Sequence, residues 1–399
     1  MRPQAPLDVA VVGAGIGGLT AALALNAAGH AVTIVERRTG FSAVGAGLQL
    51  SPNASRVLAG LGLSAALQRA ASEPPGVTVR ALDTGREIGA VALGARARER
   101  YGAPYYVIHR ADLQTLLLDA VRARSGIRLM VGRAVIGLTE TSEAVTLALE
   151  RGDGTRSDPL AAGLVVGADG LRSRLRGHLD ERPLSTAGMA AWRAIVPRDA
   201  VPKALAGAAT GLWLGRGRHV VHYPLHGGRD LNVVAIVPER QGDEDWGRLG
   251  EPAVLRAHFR DCAPTLAELL GAPDSWLVWS LAERPAARPV ARGRIALIGD
   301  AAHPVLPFLA QGAALAIEDC AVLTRCLAGR SVPAALAAYA KLRTSRVRRV
   351  QRAARANGRT YHAGGLTALC RNAVMRRLGP DGMRERYAWL YGWTPAPGA

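Results

Sequence analysis

Cysteine is scarce: Cys262, Cys320, Cys326 and Cys370 are the four in 399 residues, with no CxxC pair and no Cys/His cluster. Such spacing offers neither a disulfide framework nor a zinc site, so no metal is expected and a reducing, cytoplasmic setting is. No apolar run approaches the roughly 20 residues that a membrane-spanning helix needs. The N-terminal LDVAVVGAG runs into glycines without a small-residue cleavage pattern, so neither a removed leader nor stable membrane insertion is expected. Acidic residues are also few, 32 against 50 basic, giving a formal net charge of +18. Much of the excess lies in KLRTSRVRRVQRAARANGRT, residues Lys341 to Thr360, which holds eight basic residues and no acidic one. A basic helix can serve nucleic acid or an anionic membrane. Aromatics form only 5% of the chain and no stacking platform or recognition motif accompanies the run. It is read as a solvated helix face whose field steers small anions, and no nucleic-acid partner is expected. What is plentiful is apolar surface: 49% hydrophobic residues suffice for a sizeable core in two domains or one large one.

The first 36 residues read as strand, glycine turn, helix and strand. LDVAVVGAGIGGLTAALALNAAGHAVTIVERR holds an apolar strand, Gly13-x-Gly15-x-x-Gly18, an apolar helix stopped at Gly29, and a second strand ending at Glu36. GxGxxG alone is weak; flanked by these elements it reads as a dinucleotide fingerprint. Gly13 allows the tight turn, Gly15 lets a pyrophosphate approach the backbone, and Gly18 permits close helix packing, with Glu36 accepting from a ribose hydroxyl. NAD and FAD both satisfy that description. Two later strands end beside glycine in an aspartate, LVVGADG at Asp169 and RIALIGDAAHP at Asp300. That arrangement delivers carboxylates to the ligand crevice of an open parallel sheet, where Asp300 would hold a ribityl hydroxyl. The stretch that follows, PVLPFLAQG, is apolar and proline-stiffened where ordinary connections are polar.

With GAGIGG, HRADLQ (His109 to Gln114), GADG and GDAAHP in that order, the chain resembles the single-component FAD-dependent aromatic hydroxylases, the group of para-hydroxybenzoate hydroxylase. GAGLQLSPNASRVL, GRHVVHYPLHGG and YAWLYGW look most like the 3-hydroxybenzoate 6-hydroxylase, salicylate hydroxylase and 6-hydroxynicotinate monooxygenase branch. The resemblance implies an α/β fold: a Rossmann-like (GR2-type) FAD-binding domain, a discontinuous, mainly antiparallel substrate domain and a C-terminal helical segment. The expected divisions are 1–75, 102–185 and 283–340 for FAD, 76–101 and 186–282 for substrate, and 341–399 for the helices. It also implies cofactor contacts from Arg37, Arg110, Gln114 and Asp169, and places Pro304 to Gly312 along the isoalloxazine ring. A helix starting at Gln311-Gly312 would aim its free N–H groups, with Gly312 and Ala313, at the ring edge where reduction leaves negative charge. NADH or NADPH and O2 are the implied co-substrates; the chain shows no second complete GxGxxG unit for the nicotinamide.

The implied chemistry is attack of a flavin C4a-hydroperoxide on an electron-rich ring. A phenol titrates near ~10, so a base that removes its proton near neutrality accelerates the step. His219 and Tyr223 stand four apart in a strand-like RHVVHY, hence on one face, with His222 on the other. By the resemblance they are the catalytic pair, with Gln49, Pro307 and Phe308 in the substrate pocket and His303 structural. Phe308 replaces a histidine and Pro307 a glutamine found in named members, so no single member's activity carries over. The leading expectation is hydroxylation of a phenolic or hydroxylated heteroaromatic carboxylate, with or without decarboxylation, by a homodimer. The alternatives are an FAD-dependent oxidase or dehydrogenase without oxygen insertion, and a non-catalytic, flavin-dependent regulator or nucleic-acid-binding protein, which the Arg-rich late helix prompts.

Overall fold

The computed structural model describes residues 6–41, 46–239, 247–285 and 289–395; Gly45, at the head of the GAGLQLSPNASRVL stretch, lies outside them. A six-stranded sheet has the order Ala291–Arg292, Ile295–Leu297, Leu164–Gly167, Asp8–Val12, Ala31–Val35, Ile127–Met130. Every pair is parallel except the first. Its central strands are continuous apolar runs because helices cover both faces of such a sheet. Helix Ile16–Ala27 is apolar nearly all round and buried, lying against helix Gly312–Leu327. Leu19, Leu23 and Leu25 are almost wholly out of water, worth about 1.5–3 kcal/mol each. The helix stops at Gly29, whose φ of +91° lets His30 N–H return to the Leu25 carbonyl at 3.1 Å.

The second sheet has eight strands, in the order Arg248–Gly250, Trp276–Glu283, Ser185–Pro197, Asp230–Pro238, Arg218–Leu225, Thr210–Gly215, Gly76–Ala81, Glu87–Ala92. It is antiparallel apart from the pairing of Thr210–Gly215 with Gly76–Ala81, the contribution of the early 76–101 stretch. Alternation sorts its two faces. Val220, Val233 and Ala235 pack on helices Pro252–His258 and Pro264–Gly271, with Leu255, Leu266 and Leu269. Tyr223 and Leu225 face the other way, into a cluster with Leu315, Val347, Val350 and Leu390. A small sheet of Gly47–Leu50 and Tyr106–His109 and a three-stranded one of residues 133–162 complete the architecture.

The C-terminal region corrects two expectations. Helix Val332–Tyr361 is one 30-residue element, so the division placed at 340/341 falls inside it: basic side chains change its charge without interrupting its hydrogen bonds. Nor is its basic run merely a solvated face. Arg343 is 1% exposed and donates to Asp319 Oδ1 at 2.6 Å and Glu318 Oε2 at 2.9 Å. Arg346 reaches Glu318 Oε1 at 2.7 Å, and Arg355 reaches Glu283. Arg348, Arg349, Arg352 and Arg359 remain exposed. Two carboxylates buried on helix Gly312–Leu327 have to be neutralised, and that need recruits the helix's charge inward.

Candidate functional site

At the carboxyl end of the parallel sheet the three motif glycines have separable steric roles. Gly13 has φ of +103°, and a Cβ there would lie 2.5 Å from the Ala168 carbonyl oxygen. A Cβ on Gly18 would lie 1.8 Å from the Gly13 carbonyl oxygen, so only glycine lets the helix sit on its own turn. Gly15 has nothing within 4 Å of its Cβ position: the space beside it, at a helix N-terminus, suits a pyrophosphate. Glu36 accepts from Ala14 N–H at 2.8 Å and Arg38 N–H at 2.9 Å, and Gln114 Nε2 donates to the Ala14 carbonyl at 2.8 Å. Gln114 thus braces the loop from behind, and Arg37 is exposed beside Glu36. Asp300 and Arg110 line the same crevice. Asp300 stands open to the crevice, yet the protein crowded around it raises its carboxyl above the ordinary range against the pull of His303 and Arg110. Asp169 accepts from the N–H groups of Arg174 at 2.9 Å and Leu175 at 3.3 Å, capping the short turn Leu175–His178. An open Gly15, a helix N-terminus and a ribose-type carboxylate fit FAD.

The apolar stretch after Asp300 is anchored from below. Asp319 Oδ2 accepts from Gly299 N–H at 2.8 Å and lies 2.6 Å from His303 Nε2. Burial alone would raise Asp319, but His303, Arg343 and these hydrogen bonds hold it below the usual carboxylate range. His303, 1% exposed, is thus tied to this buried carboxylate beneath the turn. Asn53 Nδ2 bonds Glu318 at 2.7 Å and Gln311 at 3.1 Å. Above this network Pro307–Leu309 forms a short turn, and Ala310 takes a left-handed φ of +53°, a conformation that costs a non-glycine residue energy and clusters at working sites. Gly312 opens helix Gly312–Leu327 with free space at its Cβ position, and Ala313 follows, half-buried.

On the eight-stranded sheet His219 and Tyr223 do share a face, and His222 lies opposite against Trp213. Tyr223 packs beneath Gly47, where a Cβ would fall 2.5 Å from Tyr223 Cε2. Burial pushes its phenol up, opposed by the nearby Arg193 cation. His219 is enclosed by Phe308, Tyr361 and His362, its ring centre 5.7, 5.4 and 5.0 Å from theirs. Its Nδ1 lies 2.8 Å from His362 Nε2. Burial first, and His362 second, hold His219 well below an ordinary histidine. Phe308 is brought to His219 but also seats on Gly358, so it faces the long helix as much as the crevice. Gln49 accepts from the Tyr105 hydroxyl. Pro307 sits half-buried at the turn.

Two residues of this face went unread in the sequence. Arg193 pairs with Val234, and Val234 with Val221, which puts it on the His219 side. It stacks over Trp279 at 5.0 Å, and its Nε has no hydrogen-bond partner. A lone cation in the apolar AAWRAIV was its only signal. His362 follows the Arg-rich run in RTYHAGG, where nothing local marks it. Nearby, His226 links the two halves, its ring nitrogens 3.0 Å from Asp112 and 2.5 Å from Asp230.

Residues 6–354 match the FAD binding domain family. The chain is 34% identical over 394 residues to 3-hydroxybenzoate 6-hydroxylase of Polaromonas naphthalenivorans (strain CJ2), covering 98% of this chain and 97% of that one. It is 38% identical over 400 residues to 3-amino-4-hydroxybenzoate 2-monooxygenase of Streptomyces platensis, covering 98% and 96%. The crystal structure of Klebsiella pneumoniae HpxO complexed with FAD and uric acid superposes with a TM-score of 0.83 at 26% identity, covering 96% of each chain.

Proposed function

The chain belongs to the FAD binding domain family, among the flavin-dependent aromatic monooxygenases, and from that premise we propose a particular division of labour for hydroxylating a phenolic aromatic carboxylate. FAD, reduced by NAD(P)H and reacting with O2, supplies the electrophilic oxygen. The chain's own residues bind the ring, exclude water and take its proton. The observation that carries this reading is the contact of Phe308 with His219, which joins the proline-stiffened wall to the strand bearing the base. His219, uncharged because of its burial, accepts the phenolic proton. Tyr223, kept protonated, donates a hydrogen bond to the resulting oxyanion. Arg193, a cation on the same face without a carboxylate partner among the described residues, receives the substrate carboxylate. Glu36, Arg37, Arg110, Gln114, Asp169, Asp300, Gly312 and Ala313 line or brace the FAD path, and Gln49 and Pro307 close the substrate side.

In this reading 76–101 and 186–282, which share the eight-stranded sheet, are the cover over the flavin. No described helix is long and apolar enough to cross a membrane. With all four cysteines free, a cytoplasmic setting belongs to the same reading. So does a homodimer, for which Leu366, Leu369 and Val374, exposed on one helix, supply apolar surface.

The deciding experiment is a panel of 3-hydroxybenzoate, 3-amino-4-hydroxybenzoate, salicylate and 6-hydroxynicotinate with NADH or NADPH under isotopically labelled O2. One member is expected to stimulate NAD(P)H oxidation and carry label into its product. Substrate oxidation without label would favour the oxidase alternative. Amide analogues of the active compound should bind poorly to the native enzyme, and that preference should vanish in Arg193→Gln.

A further inference from the structure

His362 has no assigned part in the reaction, yet it is held against the base with some care. It ends helix Val332–Tyr361, its N–H reaching the Gly358 carbonyl at 3.1 Å. Its own carbonyl accepts from Gly217 N–H at 3.1 Å, in the hairpin that leads into the His219 strand. Two residues on, Gly364 lies against the Arg216 side chain. Helix end and hairpin are thus fastened together at the point where the two imidazoles meet. His219 is 3% exposed whereas His362 is half-buried. Among the described residues the titratable groups facing His219 are His362 and Tyr361, neither of them a carboxylate that could share a positive charge.

We infer that His362 is a positioning residue and proton exit for His219, so that the two rings pass the substrate's phenolic proton from the buried pocket to solvent. Building on the assignment of His219 as base, the transfer balances as follows. The substrate O–H proton goes to His219 Nε2, the His219 Nδ1 proton goes to His362 Nε2, and the His362 Nδ1 proton goes to water, leaving a bound phenolate and two neutral rings. The physical reason is burial. An imidazolium at His219 would be a buried charge without a counter-ion, which is expensive, whereas a proton handed across 2.8 Å never has to rest there. Burial also holds His362 down, to about 4, so it too releases the proton at neutral pH.

The test uses full-length, FAD-loaded enzyme and whichever panel member the native protein hydroxylates. His362→Gln keeps a side chain able to bond His219 but cannot relay; His362→Ala opens a space for added imidazole. His219→Ala is the reference. Bound phenolate, followed by its ultraviolet difference spectrum against pH without NAD(P)H, should form at distinctly higher pH in both His362 variants. Coupled product formation at neutral pH should fall by roughly 10- to 100-fold, within the range of general-base effects. Imidazole should restore His362→Ala and not His362→Gln. A native pH profile and coupling in His362→Gln would overturn the relay. So would equal loss in His362→Ala with no imidazole rescue, which would leave packing as its only role. If His219→Ala itself stays fully coupled, the assignment of the base fails, separately from the relay.

Discussion

The glycine loop and the proposed catalytic face are built by different constructions. In the loop, Gly13 and Gly18 each relieve a different steric conflict, Gly15 leaves open space between them, and Glu36 closes the same turn by bonding Ala14. On the eight-stranded sheet, Arg193, the His219–Tyr223 pair, Phe308 and His362 arrive from four separate stretches of chain. Their side chains meet because strand register and one helix end bring them together. A contiguous site tolerates little change in any single residue. An assembled site has partners that can be removed one at a time while the fold survives.

The sharpest way to break that contrast is inside the loop. Gly18→Val forces a side chain into the Gly13 carbonyl and is expected to leave no folded, flavin-loaded protein. Gly15→Val enters open space, so it should fold with a cooperative melt yet purify nearly free of flavin by absorbance. A full complement of FAD in Gly15→Val would mean that the dinucleotide lies elsewhere. On the assembled face, Tyr223→Phe should keep its FAD and still oxidise NAD(P)H. Product should drop by ~100- to 10,000-fold, the usual span for general acid–base groups, with hydrogen peroxide released instead. Part of the loss should return as pH rises toward the phenol's own titration near ~10. Undiminished coupling would remove Tyr223 from the site.

Between the two regions lies the buried network of Glu318, Asp319 and Arg343. Arg343→Leu removes the cation shared by two buried carboxylates, leaving Arg346 on Glu318 and His303 on Asp319, and should cost up to about 3–5 kcal/mol in denaturant unfolding; a change under about 1 kcal/mol would show that those two remaining partners suffice. The smallest effect is set by His222, on the face away from the site. Burial, and then Arg80, lower it from 6.5 to about 4. The unfolded chain then binds a proton that the folded one refuses, so stability is intact above 6.5 and falls as pH drops toward 4, by up to about 3 kcal/mol. His222→Leu should remove this residue's share of that slope, leaving those of His219 and His362, without touching coupling.

By itself the sequence determined what short-range chemistry determines. The strand, turn and helix around Gly13 to Gly18, the acid at Glu36, the aspartate at a strand's end and the shared face of His219 and Tyr223 all follow from backbone sterics and a period of two, which operate within a few residues. Those rules also separated His222 from the site. They could not show that the Arg-rich run neutralises Glu318 and Asp319, because opposite charges 25 residues apart become partners only when two helices pack and exclude water. Phe308 was read as pocket wall, and tertiary packing set it on Gly358 as well. Arg193 and His362 went unread: strand pairing sets the first on Tyr223's face, and the second ends a helix that meets the hairpin before His219 only in the folded chain. The position of a proton's exit depends on which side chains touch across the fold, and only the folded chain decides that.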